Sequence, residues 1–316
     1  MISASGVRIG WSDLPGHVRR EIEAVIGGPV VDAVSQAGGF SPGSADRIRT
    51  SGGRRVFVKA VSSAANPRSP ELHRQEARIA AALPASAPTP TLLGSYDDGT
   101  WVALVYEDVE GRHPVTPWLP DELRRVQAAL TDLAAVLTPS PLRSPTAADA
   151  LADDFAGWRR MAAEPPADLD PWLAEHLADL VALADRGLSA LAGDTLVHTD
   201  IRADNILLGS GGRVTVVDWP SACRGPAWLD QLLLLVNVRL YGGHDTPALL
   251  EEYAAGAGVC RADLTAVLAA IAGFFTDGAR QPAPPGLPTL REFQRAQSEA
   301  VLSWLREAPP TPLGDR

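Results

Sequence analysis

Lysine is almost missing from this sequence of 316 residues, in which Lys59 is the one lysine among 28 basic residues. The commonest phosphate-binding lysine lies in the motif G-x-x-x-x-G-K-[ST]. Lys59 instead lies between Val58 and Ala60, which excludes that motif. No G-x-G-x-x-G run precedes a predicted helix, so a dinucleotide-binding fold has no support either.

Cysteine and net positive charge are also scarce. The two cysteines, Cys223 and Cys260, form no CxxC pair, which favours a reducing cytoplasm and argues against a disulfide framework or a zinc site. The formal net charge is −10, whereas proteins that bind polyanions are normally basic, so we expect no nucleic-acid partner. The acidity suits a cationic small substrate, although a charge that only keeps the protein soluble is the commoner explanation.

Long apolar runs are missing as well. No run approaches the ~18 residues of a membrane-spanning helix, and the start, MISASGVRIGWSDLPG, lacks a basic region followed by an apolar core, so we expect neither a membrane span nor a signal peptide. The sequence shows no repeat of fixed period and no sign of an obligate protein partner. These features predict a cytoplasmic protein.

The first third of the chain has the alternating pattern of strands. Asp13 is the expected cap of a helix over 14–26, and Ser69 and Pro70 are expected to open a second helix that ends near Leu83. Strands are predicted at 30–36, 45–50, 54–61 and in a hairpin over 91–107, with a glycine-rich loop at 38–44.

The rest of the chain has mainly helical periodicity. Helices are predicted at 121–137, 148–162, 171–192, 227–241, 247–256, 261–276 and 289–307. A β-rich stretch, 196–219, interrupts them. The predicted organisation is therefore a mostly β N-terminal domain over 1–107, a link at 108–112, and a helical domain over 113–316 that contains the insert 196–219.

Lys59 lies in the strand-like run RRVFVKAV, where it shares a face with Phe57 and Val61. A partly desolvated ammonium group needs a carboxylate partner. In the following helix, Leu72, Glu76, Ile79 and Leu83 fall on one stripe. Glu76 is therefore the predicted partner of Lys59, while Glu71 is expected on the polar face.

A second polar cluster, HTDIRADN at 198–205, is followed by VVDW at 216–219. Phosphoryl transfer needs an acceptor for the hydroxyl proton and oxygen ligands that hold Mg²⁺ against the nucleotide phosphates. Asp200 suits the first role, and Asn205 and Asp218 suit the second. A chance loop between two strands would rarely combine these groups with an upstream lysine and glutamate.

These motifs, together with GGFSPG, VFVK and LVYEDVEG, resemble those of the aminoglycoside phosphotransferase/choline kinase family. The resemblance spans about 36–230. It implies an α+β, two-lobed protein-kinase-like fold with an N-terminal antiparallel sheet, one key helix, and a larger helical C-terminal lobe. It also implies that ATP and Mg²⁺ are the cofactors.

The resemblance also implies roles for individual residues. Lys59 would bind the α- and β-phosphates, Glu76 would orient it, Asp200 would be the catalytic base or orienter, and Asn205 and Asp218 would hold Mg²⁺. Adenine would bond the Glu107 carbonyl and the Val109 N–H, with Tyr106 at the rear of its pocket. Gly39 and Ser41 are expected near the phosphates, although plain turn chemistry explains Ser41 and Ser44 equally well.

The sequence departs from the family pattern at three places. Thr199 replaces a frequent glycine between His198 and Asp200. Arg202 stands where Ser/Thr protein kinases have a lysine that touches the transferred phosphoryl group, so it is a further catalytic candidate; a brace for an acidic neighbour is the alternative. Trp219 and Pro220 follow Asp218 in place of Phe-Gly, so no flipping loop is expected.

The predicted function is ATP-dependent transfer of a phosphoryl group to a hydroxyl of a small molecule. Only 11 residues separate Asp218 from Asp230, too few for the activation segment of a protein kinase. An aminoglycoside-type antibiotic is the favoured acceptor, with antibiotic resistance as the implied role. A metabolic kinase for a sugar, amino alcohol or amino acid is the first alternative, and a nucleotide-binding pseudokinase is the second.

Overall fold

The computed structural model describes residues 7–36 and 38–307, so the predicted domains 1–107 and 113–316 extend beyond the described residues at the chain ends. The helices within this part of the chain are α1 (Gly16–Ile26), α2 (Ser69–Ala82), α3 (Pro120–Val136), α4 (Ala147–Phe155), α5 (Gly157–Ala163), α6 (Pro171–Ala190), α7 (Leu229–Tyr241), α8 (Thr246–Ala257), α9 (Arg261–Arg280) and α10 (Leu290–Glu307). The strands are β1 (Val30–Ser35), β2 (Ser44–Thr50), β3 (Arg55–Ser62), β4 (Leu92–Asp97), β5 (Trp101–Glu107), β6 (Thr195–Val197), β7 (Ile206–Leu208), β8 (Val214–Val216) and β9 (Cys223–Gly225).

The chain forms two compact units. The first unit comprises Met1–Pro114, Ala203–Ala222 and Ala283–Leu290; the second comprises Val115–Arg202, Cys223–Pro282 and Arg291–Arg316. The predicted link at 108–112 stays a prediction. The predicted insert 196–219 is divided, because β6 pairs with β9 in the second unit while β7 and β8 pair with each other in the first.

The first unit is built on a five-stranded antiparallel sheet with the strand order β1-β2-β3-β5-β4. Successive side chains of β3 point to opposite faces of the sheet, so its alternating residues line two different environments. Val56, Val58 and Ala60 are fully buried in a core that includes α1. Phe57 lies on the opposite face, where it and two alanines of α2 pack against a small buried cluster of β5 residues. Lys59 is therefore presented to α2, as the strand pattern predicted.

The starts of the first two helices differ from the prediction. Asp13 does not cap α1, because Pro15 is the N-cap residue and the Asp13 carboxylate instead accepts the Gly10 N–H at 2.8 Å. In α2, Arg68 rather than Ser69 is the N-cap residue. Leu72 is 38% exposed, so it is not part of the buried stripe, which runs through His73, Glu76 and Ile79.

The second unit is a helical bundle whose core includes residues of α6 and α9. The predicted helix 148–162 is in fact two helices, α4 and α5, which meet at Ala156. A Cβ atom on Gly157 would lie 2.3 Å from the Gly273 carbonyl oxygen of α9. The close approach of α5 to α9 therefore requires glycine at position 157, directly after the break at Ala156.

One described helix, α9, is long and apolar enough to cross a membrane, with a mean hydropathy of 1.3 over its most apolar window. Most of that window is buried within the protein, and its side chains contribute to the core of the second unit. A central core helix of a globular domain passes the same test of length and composition.

Candidate active site

The one lysine of the chain lies between two carboxylates in the first unit. The Lys59 Nζ atom lies 2.9 and 2.8 Å from the two carboxylate oxygens of Glu76, and 2.5 Å from Oδ1 of Asp218. We call these three residues the lysine cluster. Glu76 is the partner that the helical stripe predicted, and the contact with Asp218 joins two motifs that are 159 residues apart.

The lysine cluster is buried on one side and open on the other. The side chains of Lys59 and Glu76 are 12% and 3% exposed, whereas that of Asp218 is 36% exposed. Burial acts to lower the pKa of Lys59, but the carboxylates of Asp218 and Glu76 outweigh it, so the pKa is raised and the ammonium stays charged. Asp218 is the most exposed member of the lysine cluster.

Tyr106 and His73 lie in the buried surroundings of the lysine cluster. The Tyr106 hydroxyl donates to Glu76 Oε1 at 3.1 Å. His73, one helical turn before Glu76, is buried, and burial together with the Lys59 charge lowers its pKa to about 3. His73 is therefore neutral at pH 7. Sequence patterns alone do not single out His73, although its spacing of three residues from Glu76 places the two on one helical face.

The glycine-rich loop has the backbone that its composition predicts. Gly38, Gly39 and Gly43 have φ values of 98°, 75° and 128°, which residues with a Cβ atom rarely adopt. A Cβ atom on Gly43 would lie 2.3 Å from the Ala60 carbonyl oxygen, so the loop lies directly against β3. Ser44 is buried at the start of β2.

Two arginines hold the segment that follows β5. Arg47 donates to Asp108 at 2.6 Å and to the Val109 carbonyl oxygen at 2.5 Å. Arg55 donates to Asp108 at 2.9 Å and to Glu110 at 2.6 Å. The carbonyl of Val109 is thus occupied, while the predicted adenine contact uses its N–H group.

The predicted metal ligands flank the β7–β8 hairpin at its open end, where its two strands enter and leave. Asn205 directly precedes β7, and its carbonyl oxygen accepts the Val217 N–H at 3.0 Å. Asp218 follows, with φ at 70°, a strained conformation for a residue other than glycine. One carboxylate and one amide oxygen fit Mg²⁺, which takes few protein ligands and fills its shell with phosphate oxygens and water. Among the described residues, no group of three or more His, Cys, Asp or Glu side chains is arranged to hold a metal ion.

The segment around Asp200 lies in the second unit, where a buried aspartate of α7 holds it. Asp230 accepts the N–H groups of His198 and Thr199 at 2.8 and 3.0 Å. The Asp200 N–H donates to Nδ1 of His198 at 3.2 Å. His198 is fully buried. Because its Nδ1 atom accepts the hydrogen bond of a backbone N–H group, His198 acts as a scaffold for the loop.

Arg202 contacts Asp200 in this structure. Its Nη1 atom lies 2.9 Å from Asp200 Oδ1, and its guanidinium carbon lies 5.8 Å from the centre of the Phe293 ring of α10. The Asp200 side chain is 40% exposed and that of Arg202 is 13% exposed. Arg202 thus braces an acidic neighbour here, while its catalytic role stays a prediction. Part of the Asp200 side chain remains accessible.

Thr199 takes a left-handed backbone conformation with φ at 66°, which costs about 1–2 kcal/mol for a residue with a Cβ atom. We expect Thr199→Gly to be more stable than Thr199→Ala by about 1 kcal/mol, measured by urea denaturation. Both variants lose the threonine side chain, so their difference reports the backbone strain, less the greater conformational entropy of glycine in the unfolded chain. An alanine variant as stable as the glycine variant would contradict the assignment of strain.

A family model described as the phosphotransferase enzyme family, APH, matches residues 39–274. No curated protein matches the chain at a significant level.

Several solved structures have a similar fold. A thermostable mutant of aminoglycoside phosphotransferase APH(4)-Ia, in a ternary complex with ADP and hygromycin B, has 16% identity and a TM-score of 0.61, over 93% of this chain and 99% of that one. Amicoumacin kinase hAmiN, in complex with AMP-PNP, Ca²⁺ and Ami, has 13% identity and a TM-score of 0.58, over 96% and 97%. An aminoglycoside-3'-phosphotransferase of type VIII has 23% identity and a TM-score of 0.51, over 82% and 100%.

The similar structures confirm the predicted protein-kinase-like α+β fold. The family model covers more than half of the chain and confirms the resemblance drawn from the motifs. The chain belongs to the phosphotransferase enzyme family.

Proposed function

We propose that this protein transfers the γ-phosphoryl group of ATP to a hydroxyl group of a small molecule, with an aminoglycoside-type antibiotic as the first acceptor to test. The observation that carries the proposal is the lysine cluster, in which the one lysine is held by a helix glutamate and by the aspartate of VVDW. In protein kinases such a lysine–glutamate pair and a metal-binding aspartate must both be in place, and the proposal extends that requirement to this chain.

In the proposed reaction, Asp200 accepts the proton of the acceptor hydroxyl as its oxygen bonds to the γ-phosphorus atom. The bond from that phosphorus to the oxygen it shares with the β-phosphate breaks, and ADP leaves. Lys59 binds the α- and β-phosphates, and Glu76 keeps its ammonium group in place. Arg202 orients Asp200 through the contact at 2.9 Å.

Asn205 and Asp218 are the residues proposed to hold Mg²⁺, which supplies positive charge to the phosphate oxygens when bound. The Glu107 carbonyl and the Val109 N–H are proposed to bind adenine, with Tyr106 behind it and Gly39 and Ser41 near the phosphates. The hydrogen bonds from Arg47 to Asp108 and Val109 stiffen the segment that would carry these backbone contacts.

A small-molecule acceptor is favoured over a peptide. The 11 residues between Asp218 and Asp230 contain β9, which pairs with β6, so little chain is left for a peptide-binding segment. Hygromycin B and Ami are bound in two of the structures with this fold. Their identities of 16% and 13% support the fold rather than the acceptor, so the antibiotic assignment rests on the family.

The experiment that tests this proposal is a coupled assay of ADP formation with Mg²⁺ and ATP over a panel of acceptors. The panel contains aminoglycosides, peptide antibiotics, choline and amino sugars. Acceptor-dependent ADP formation with an aminoglycoside supports the proposal. Turnover with choline or an amino sugar alone replaces the antibiotic with a metabolic acceptor. Binding of ATP without turnover on any acceptor favours a nucleotide-binding pseudokinase.

A further inference from the structure

Arg8 lies beside the glycine-rich loop, although it precedes the residues that the family model matches, 39–274. The Ile9 N–H donates to the Gly43 carbonyl oxygen at 3.1 Å, and the Gly43 N–H donates to the Val7 carbonyl oxygen at 3.2 Å. These bonds form a parallel bridge between Arg8 and Gly43. The Val7 N–H also donates to the Gly286 carbonyl oxygen at 2.9 Å, so the backbone on both sides of Arg8 is held in place.

The guanidinium group of Arg8 contacts the loop at Gly38 and Gly39. Its Nη2 atom donates to the Gly38 carbonyl oxygen at 2.6 Å. A Cβ atom on Gly39 would lie 3.1 Å from the same Nη2 atom. A larger residue at position 39 would therefore crowd the guanidinium. Glycine is favoured at this position by that contact as well as by its φ of 75°.

Arg8 also interacts electrostatically with Asp218 of the lysine cluster. Burial lowers the pKa of its guanidinium, and the charges of Asp218 and Asp46 act in the opposite direction. Arg8 and Lys59 both act to lower the pKa of His73, so all these groups lie in one charged region of the first unit. A second cationic side chain beside Lys59 would attract the negatively charged triphosphate of a bound nucleotide.

The hydrogen bonds of Arg8 are incomplete. Its Nε atom is buried and has no hydrogen-bond partner. Leaving a buried donor unpaired is costly, so such a group in a native structure calls for an acceptor. The buried Oδ2 atom of Asp46 is also unpaired, which makes a purely structural role for Arg8 toward Asp46 the alternative to be tested.

We propose that Arg8 is a phosphate-binding residue, which contacts the phosphates of the bound nucleotide from the glycine-rich loop and complements Lys59. The inference rests on the proposed function, because the phosphates that Arg8 contacts are those of the ATP that the proposed reaction uses. A planar guanidinium fork binds phosphate oxygens in pairs, which a lysine point charge cannot do. The backbone bonds at Val7 and Ile9 hold the arginine in position before the nucleotide binds.

The test is to measure the dissociation constants of Mg·ATP and of adenosine by calorimetry on the full chain. We expect Arg8→Met to weaken Mg·ATP about 10- to 100-fold, the range for lost hydrogen bonds to a charged group. Adenosine has no phosphate, so its dissociation constant should change less than about twofold. Arg8→Lys keeps the charge without the fork and should give an intermediate loss for Mg·ATP.

Arg20→Met is the matched control, because Arg20 is exposed on α1 of the same unit; it should leave both constants unchanged. Equal weakening of adenosine and Mg·ATP in the Arg8 variants, or no weakening of either, would overturn the proposal. If Arg8→Met does not fold, Arg8→Lys decides alone. Arg8-dependent binding of Mg·ATP without transfer to any acceptor would sink the proposed function and leave this inference standing.

Discussion

Asp200→Asn should lower kcat by about 10²- to 10⁴-fold, the range that general base catalysis contributes. Asparagine keeps the shape of the side chain and an oxygen for Arg202, but it cannot take a proton from the acceptor hydroxyl. The dissociation constant of Mg·ATP should stay within about twofold, because Asp200 acts on the acceptor. The measurement is ADP formation at saturating ATP and acceptor, beside calorimetric binding of Mg·ATP.

Asp194→Asn is the matched control for this loss. Asp194 lies in the same unit, its side chain is 62% exposed, and its nearest cationic atom is Arg224 Nη1 at 3.9 Å. The same chemical change there should leave kcat unaltered. Asp200 loses its assignment as the base if Asp200→Asn keeps more than about a tenth of the wild-type kcat.

Lys59→Met should lower the free energy of unfolding by about 3–5 kcal/mol, because it removes one partner of a buried ion pair and leaves the other charge unpaired. Burial already acts to raise the pKa of Glu76, and Lys59 is the charge that opposes it. Without Lys59, Glu76 has only the Tyr106 hydroxyl among its observed hydrogen bonds. Urea denaturation of the folded chain measures the loss.

Arg49→Met is the control for stability, because it breaks an exposed pair on the same sheet. The side chains of Arg49 and Asp32 are 55% and 51% exposed and lie 3.6 Å apart, so their separation should change the stability by less than about 1 kcal/mol. If Lys59→Met costs no more than Arg49→Met, the lysine cluster is not the buried ion pair described here.

Lys59→Arg tests the geometry of the same position. A compact ammonium group contacts both oxygens of Glu76 and one of Asp218, whereas a broad guanidinium fork does not fit the same space. The charge is kept, so a loss of kcat/KM reports on fit. An arginine variant that retains more than about half of the wild-type activity would show that the argument from geometry is wrong.

Local patterns predicted the first unit well. The alternation around Phe57 and Lys59 placed β3 and its two faces, and the helical spacing placed Glu76 against Lys59. The choice of Leu72 for the buried stripe was wrong because a helical wheel does not say which neighbouring residue the sheet covers. His73 is the residue covered, and its burial comes from tertiary packing.

Contacts between distant segments escaped the sequence analysis. β9 has three residues and exists through its pairing with β6, about 30 residues earlier in the chain. Arg8 meets the glycine-rich loop 30 residues later, and no local periodicity marks that contact. Gly157, directly after the break at Ala156, lies against Gly273 of α9, a contact that is equally non-local.

The central claim is that the γ-phosphoryl group of ATP moves to a hydroxyl group of a small acceptor. The most direct measurement is ³¹P NMR of wild-type protein with Mg²⁺, ATP and an aminoglycoside. The account predicts that the γ-phosphate resonance falls while those of ADP and a new phosphate monoester rise together. Release of inorganic phosphate alone, or an unchanged ATP spectrum with every acceptor of the panel, would contradict it.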